Sequence, residues 1–123
     1  MAVTNSSESE SVQSPERVRL GQSELVVSRI GAGTWQWGGR FYWGYGRQYG
    51  DNDRATAFSA CIENGINWFD TAELYGRGRS ERILGQLVNG PTLKPLVATK
   101  FFPYPWRLHR SSLRRALKAS LRR

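Results

Sequence analysis

Between Asp53 and Gly65, Ala55, Phe58, Cys61 and Ile62 recur at helical spacing, so one face of this stretch is apolar and the other polar. Asp51 or Asn52 stands where a cap belongs, and Gly65 where the helix stops. The pattern then changes: Ile66 to Phe69 is a compact apolar run ending at Asp70, as expected of a strand buried on both faces that leads into a loop. A second helical stretch carries Ile83, Leu84, Leu87 and Val88, with Ser80 as its cap and Asn89-Gly90-Pro91 as its stop. Leu96 to Thr99 reads as another strand. In the third helix Ser111 is the cap, and Leu113, Leu117 and Leu121 form an apolar row opposite Arg114, Lys118 and Arg122.

Upstream, Val18-Arg19-Leu20 and Leu25-Val26-Val27 flank the turn residues Gly21-Gln22-Ser23-Glu24, the pattern of a small hairpin. Ile30 to Thr34 is a short strand. It runs into a long aromatic loop, from Trp35-Gln36-Trp37-Gly38-Gly39 through Phe41, Tyr42, Trp43, Tyr45 and Tyr49 to Gly50. The order is therefore a hairpin followed by strand, helix, strand, helix, strand, helix, which predicts a parallel sheet of right-handed βαβ units. Doubly wound sheets and (β/α)₈ barrels both begin this way, and in both the functional groups gather beyond the carboxyl ends of the strands. A barrel needs about 250 residues and eight such units. With 123 residues the chain supplies three of them, and it is expected to be cut short.

A hydrophobic content of 39 %, with five residues each of Trp, Tyr and Phe, argues for a packed core. The net charge of +8 suggests a nucleic-acid or anionic-membrane binder, but its distribution argues otherwise. All the acidic residues lie before Arg82, and the basic surplus belongs to the carboxyl-terminal end. Cys61 is the only cysteine, which excludes an intramolecular disulfide and zinc-ligand spacing; it reads as a small core residue, in a reducing, cytoplasmic setting. No apolar run approaches the roughly 18–20 residues that span a bilayer. Residues 1–16 are Ser-rich and carry Glu8, Glu10 and Glu16 but no Arg or Lys, so they read as a disordered polar tail and not as a transit peptide.

Asp70, Tyr75 and Lys100 fall beyond the ends of two of these strands. A phenol is a poor proton donor at neutral pH, its ordinary pKa being about 10. A neighbouring ammonium favours the phenolate, and a carboxylate paired with that ammonium keeps it charged and in place. The three groups together fit protonation of a carbonyl oxygen as hydride reaches the carbon, and that hydride must come from a cofactor. The same residues also admit a plain reading, with Asp70 capping a turn, Tyr75 packing over a loop and Lys100 a solvated strand end.

Phe69-Asp70-Thr71-Ala72-Glu73-Leu74-Tyr75-Gly76, Arg79-Ser80-Glu81-Arg82-Ile83-Leu84-Gly85 and Val97-Ala98-Thr99-Lys100-Phe101 resemble, in this order, the aldo-keto reductase family. Leu20-Gly21 and Ile30-Gly31-Ala32-Gly33-Thr34-Trp35 are similar to the family's hairpin and first strand, and Pro105-Trp106-Arg107 with residues 112–121 to the next helical unit of bacterial and plastid members. The resemblance spans residues 17–123 as the amino-terminal part of a (β/α)₈ TIM barrel. It implies NADPH-dependent reduction of an aldehyde or ketone, a small-molecule carbonyl substrate, with Tyr75 as acid and Lys100 and Asp70 tuning it. Gly33, Thr34, Trp35 and Asp70 become cofactor contacts; no metal is implied. The family's fourth catalytic residue, a histidine at the end of strand four, has no counterpart here: His109 lies between the third strand and third helix and reads as a loop or helix-start residue. The chain by itself is expected to be inactive.

Gly31-Ala32-Gly33 is followed by Gln36 where a dinucleotide fingerprint needs a third glycine, so a Rossmann reading fails. The aromatic loop is open to three readings: a wall beside the substrate, a mobile insert, or a platform for stacking bases. The alternative function is a non-catalytic interaction module that assembles with another partial barrel or binds nucleic acid through Arg114, Arg115, Lys118, Arg122 and Arg123. Subunit number has no signal.

Overall fold

The computed structural model describes residues 14–39, 43–90 and 94–123. Most of the expected polar tail, together with Phe41, Tyr42 and Pro91, lies outside the described residues. Glu16, assigned to that tail, takes part in the fold: its carbonyl accepts the Arg29 N–H at 2.9 Å and its carboxylate pairs with the Arg29 guanidinium.

Strands β1 (Arg17–Arg19) and β2 (Val26–Ser28) form the expected antiparallel hairpin, closed by the Leu20 N–H donating to Leu25 O at 2.8 Å. Strands β3 (Ala32–Gly33), β4 (Trp68–Asp70) and β5 (Leu96–Ala98) form a parallel sheet in the order β3-β4-β5, with Gly33 opposite Asp70 and Asp70 opposite Ala98. Helix α1 (Asp51–Glu63) connects β3 to β4, and α2 (Arg79–Val88) connects β4 to β5. A 3₁₀ turn (Pro105–Arg107) and α3 (Arg110–Ser120) follow β5. This is the α/β order of an opening barrel, with β3 and β5 at the edges of the sheet among the described residues.

The core lies between the sheet and the first two helices. Phe58 of α1, Phe69 of β4 and Leu84 of α2 are buried, with Ala32, Trp37, Cys61, Ile62, Leu87 and Val88 packed around them. The Phe58 and Phe69 rings meet at 4.9 Å between centroids. Burial pushes the Cys61 thiol up from its ordinary value, in keeping with a core role.

The helix starts differ from expectation. Gly50 and not Asp51 or Asn52 caps α1, and its N–H donates to the Asp53 carboxylate at 2.7 Å. Gly78, with φ of 80°, caps α2 in place of Ser80. His109 and not Ser111 caps α3: its Nδ1 accepts the Ser111 N–H at 3.3 Å. Leu113, Leu117 and Leu121 are 55, 51 and 78 % exposed, and Ala116 is the buried residue of this helix.

The hairpin is fastened to the sheet by side chains at and just before the start of β4. Asn67 Oδ1 accepts the Ser28 N–H at 2.7 Å, and its amide donates to Val26 O at 2.8 Å. The Trp68 indole N–H donates to Ser28 O at 3.0 Å, and a Cβ at Gly31 would overlap that indole, so only glycine fits there.

Freed from capping, Ser80 is fully buried and joins three segments. Its hydroxyl donates to Thr34 O at 2.8 Å and stands 2.8 Å from Thr34 Oγ1 and 3.1 Å from Thr71 Oγ1. Replacing it by alanine strands polar partners in a dry interior. Ser80→Ala is expected to destabilise the chain by about 1–3 kcal/mol, read as a lower urea midpoint, whereas Ser111→Ala at the surface changes it little.

Candidate functional site

Main-chain pairing continues past the ends of the strands. Thr34 N–H donates to Asp70 O at 2.9 Å and Thr71 N–H to Ala98 O at 2.8 Å. Asp70 and Lys100 thereby stand side by side on neighbouring strand ends. After Ala72 the chain turns, and Gly76, Arg77 and Gly78 take left-handed φ values of 58, 56 and 80° before α2 begins. This turn returns Tyr75 over the strand ends, with its carbonyl accepting the Ser80 N–H at 3.2 Å.

The structure brings Asp70, Tyr75 and Lys100 together. Lys100 Nζ donates to Asp70 Oδ2 at 2.5 Å, to Thr71 O at 3.1 Å and to the Tyr75 hydroxyl oxygen at 3.2 Å. An ammonium has three N–H donors, and all three are used. The Tyr75 oxygen accepts from Lys100, which leaves its own O–H to point elsewhere. Burial by itself would favour the neutral amine, but the hydrogen bonds and charge of Asp70 and Tyr75 outweigh it and hold Lys100 above its ordinary value. A raised lysine keeps its charge, and the stability of its pair, below the ordinary range near 10.4; both are lost only as pH rises through the higher folded value. The side chains of Lys100 and Asp70 are 50 and 36 % exposed, so the group is open to a ligand.

Of the other expected contacts, Gly33 has nothing within 4 Å of where a Cβ would stand, and Trp35 is exposed. Thr34 is fully buried, its hydroxyl donating to Asp70 O at 3.0 Å. It fixes the loop and offers no free polar atom. His109 is at the start of α3, in its capping role. Among the described residues no group of three or more His, Cys, Asp or Glu is placed to hold a metal, and no helix is long and apolar enough to cross a membrane.

A second pair, missed in the sequence, ties the strand ends together. Arg107 meets Glu73 as a fork, Nη1 to Oε1 at 2.8 Å and Nη2 to Oε2 at 3.0 Å, and the Phe102 N–H donates to the same Oε1 at 2.8 Å. Glu73 lies two residues before Tyr75, and Phe102 two residues after Lys100. The carboxylate therefore joins the loop that carries the phenol to the loop that carries the amine. Burial pushes the Glu73 carboxyl up, but the Arg107 fork and the Phe102 amide outweigh it and hold it below the ordinary value. A forked Arg–carboxylate pair has a recognisable geometry but no signature in sequence, because its members here are 34 positions apart.

A family model described as the Aldo/keto reductase family matches residues 29–123. Pyridoxal reductase, chloroplastic, of Arabidopsis thaliana is 43 % identical over 118 residues, covering 88 % of this chain and 32 % of its own length. An uncharacterized oxidoreductase of Mycobacterium tuberculosis is 47 % identical over 77 residues, covering 63 % of this chain and 24 % of its own. Among solved structures, an aldo-keto reductase from Klebsiella pneumoniae in complex with NADPH superposes with a TM-score of 0.67 at 30 % identity, covering 88 % of this chain and 34 % of that one. The chain spans about a third of the length of the Arabidopsis relative.

The Glu73 tie has a testable acid dependence. Its folded pKa is depressed, so its contribution is full above the ordinary carboxyl value of about 4.3 and is lost as pH falls through the lower folded value. Glu73→Gln is therefore expected to lower the melting temperature at pH 7 and to lose less between pH 5 and pH 3 than the parent chain does, as read by thermal unfolding.

Proposed function

The chain belongs to the aldo/keto reductase family, and on that premise we propose that it carries the proton-donating half of an NADPH-dependent reductase of aldehydes or ketones. The observation that carries this reading is the Lys100 ammonium, held by Asp70 at 2.5 Å and aimed at the Tyr75 hydroxyl at 3.2 Å.

Tyr75 donates its proton to the carbonyl oxygen of the substrate. The phenolate left behind sits against a fixed cation, so charge that develops during transfer meets a partner already in place. Asp70 keeps Lys100 oriented, and its negative charge makes neutral amine the less favourable form. The residues at the strand ends fit a flat ring above them: Gly33 leaves open space and Asp70 and Trp35 are accessible. Gly33, Trp35 and Asp70 are the residues that would hold the cofactor, with Thr34 fixing the loop beneath. What NADPH supplies when bound is the hydride, which no side chain can provide. The relative named for pyridoxal and the solved neighbour in complex with NADPH support the same reading of substrate and cofactor class.

Both edges of the sheet β3-β4-β5 are open among the described residues. Turnover therefore requires the strands that close the barrel, and these 123 residues alone are not expected to reduce aldehydes. In the barrel-closed enzyme, Tyr75→Phe is expected to lower kcat by about 10²- to 10⁴-fold with little change in KM, followed by the loss of NADPH absorbance with pyridoxal. Unchanged kcat would remove Tyr75 from the role of acid. Tyr75-dependent turnover by the isolated chain would remove the need for closure.

A further inference from the structure

Asp70 ends β4 and Lys100 stands two residues beyond β5, so the sheet itself places the carboxylate and the amine. Tyr75 is five residues past the end of β4, where no strand holds it. Its ring packs beside Trp35 at 6.3 Å between centroids. Its hydroxyl meets Lys100 Nζ at 3.2 Å, the longest of the three bonds that this ammonium makes. The hold on the phenol therefore comes through the loop that carries it.

Glu73 is the second residue of a four-residue turn, which the Tyr75 N–H closes by donating to Ala72 O at 3.1 Å. Whatever fixes Glu73 thus fixes Tyr75 through the same turn. The fixing comes from the chain around Lys100. The Glu73 N–H donates to Lys100 O at 3.4 Å, and its carboxylate takes both prongs of Arg107 and the Phe102 N–H. Arg107 is itself held: its guanidinium carbon lies 4.6 Å from the centroid of the Phe101 ring, the residue next to Lys100, and its N–H donates to Tyr104 O at 2.7 Å. The Glu73 side chain is 10 % exposed and that of Arg107 23 %, so little water competes for the fork.

We propose that Glu73, through its fork with Arg107, is a positioning residue that holds the Tyr75 hydroxyl at the Lys100 ammonium, the geometry of the fork and not its charge alone setting that contact. The proposal rests on the carbonyl-reductase reading for what the contact does in turnover. The attraction between an ammonium and a phenolate weakens as they separate, and a misplacement of about 1 Å costs up to about a hundredfold in rate. Two parallel bonds to a planar guanidinium fix both distance and direction; an ammonium at position 107 would supply a point charge and fix neither. The Glu73 carboxylate is taken up by Arg107 and Phe102, so its effect on the rate passes through Tyr75.

The test reads the contact itself in the 123-residue chain. Lys100 Nζ stands 5.0 Å from the centroid of the Tyr75 ring, so the ring current of the phenol displaces the NMR signals of the Lys100 ε-methylene, and Tyr75→Leu measures the full displacement. Glu73→Gln and Arg107→Lys are each expected to lose most of it, whereas Asn67→Ala, which loosens the hairpin clamp instead, keeps it. Arg107→Lys retains the cation and decides the case even where Glu73→Gln does not fold. The full displacement in folded Arg107→Lys, or an equal loss in Asn67→Ala, overturns the proposal. In the barrel-closed enzyme, Glu73→Gln lowers kcat by about ten- to a hundredfold with little change in KM, and lowers it no further in the Tyr75→Phe background. A further loss of the same size in that background overturns the positioning role as well. The NMR arm needs neither NADPH nor turnover, so failure of the reductase reading and failure of the positioning role give different results.

Discussion

Asp70 is in register with Gly33 on one side and with Ala98 on the other, and the meeting of Asp70, Tyr75 and Lys100 follows from that row. A shift of one residue along either ladder would turn the side chains of a strand to its opposite face. Lys100 would then be carried away from Asp70, and the loop holding Trp35 away from Tyr75. The register is held by buried apolar residues, above all Phe69, which must face the core with Phe58 and Leu84. It is held also by polar ties beyond the strands, with Ser80 bound to Thr34 and Thr71, and Lys100 bound to Thr71 O. Packing sets the row; hydrogen bonds then place the polar side chains on it.

Much of this was visible in the residues. Alternating apolar runs and helical faces located the hairpin, the strands of the sheet and the three helices among the described residues, with boundaries displaced by a residue or two. The meeting of Asp70, Tyr75 and Lys100 was legible because Asp70 ends one strand, Tyr75 and Lys100 lie beyond strand ends, and the sheet brings those ends together. What stayed hidden depends on partners distant in sequence. Ser80 looks like a cap because a serine before a helix usually is one, yet the left-handed Gly78 takes that place and releases the hydroxyl to the interior. Nothing near Glu73 points to Arg107, and nothing near Asn67 points to Ser28. The Leu113, Leu117 and Leu121 row was legible as a face, but not that the row is exposed and that Ala116 is the buried residue of the helix.

The charge pattern takes on a different meaning in three dimensions. Two of the basic residues from the cationic end, Arg107 and Arg123, turn inward onto Glu73 and Glu81. Both carboxylates are largely buried, and each belongs to the segment around Tyr75 and α2, so the acid-bearing and base-bearing halves of the chain are joined through these pairs. Burying such ions is costly unless each oxygen is satisfied, and here Phe102 and Thr99 donate to the same carboxylates. Part of what reads in the sequence as a polyanion-binding surplus is internal pairing.

The Asn67 clamp on the hairpin joins residues 39 positions apart, and each parallel strand pair must close a loop of helix-bearing chain before its first ladder bond can form. Closure entropy is lost in full before contacts reward it, so such topologies fold slowly. In the interval β3 and β5 carry bare edges and Phe69 has no cover, which is the condition in which strands of different molecules find one another. The geometry that sets Asp70 beside Lys100 thus also makes the assembly of this chain a race between helix-first closure and association with its neighbours.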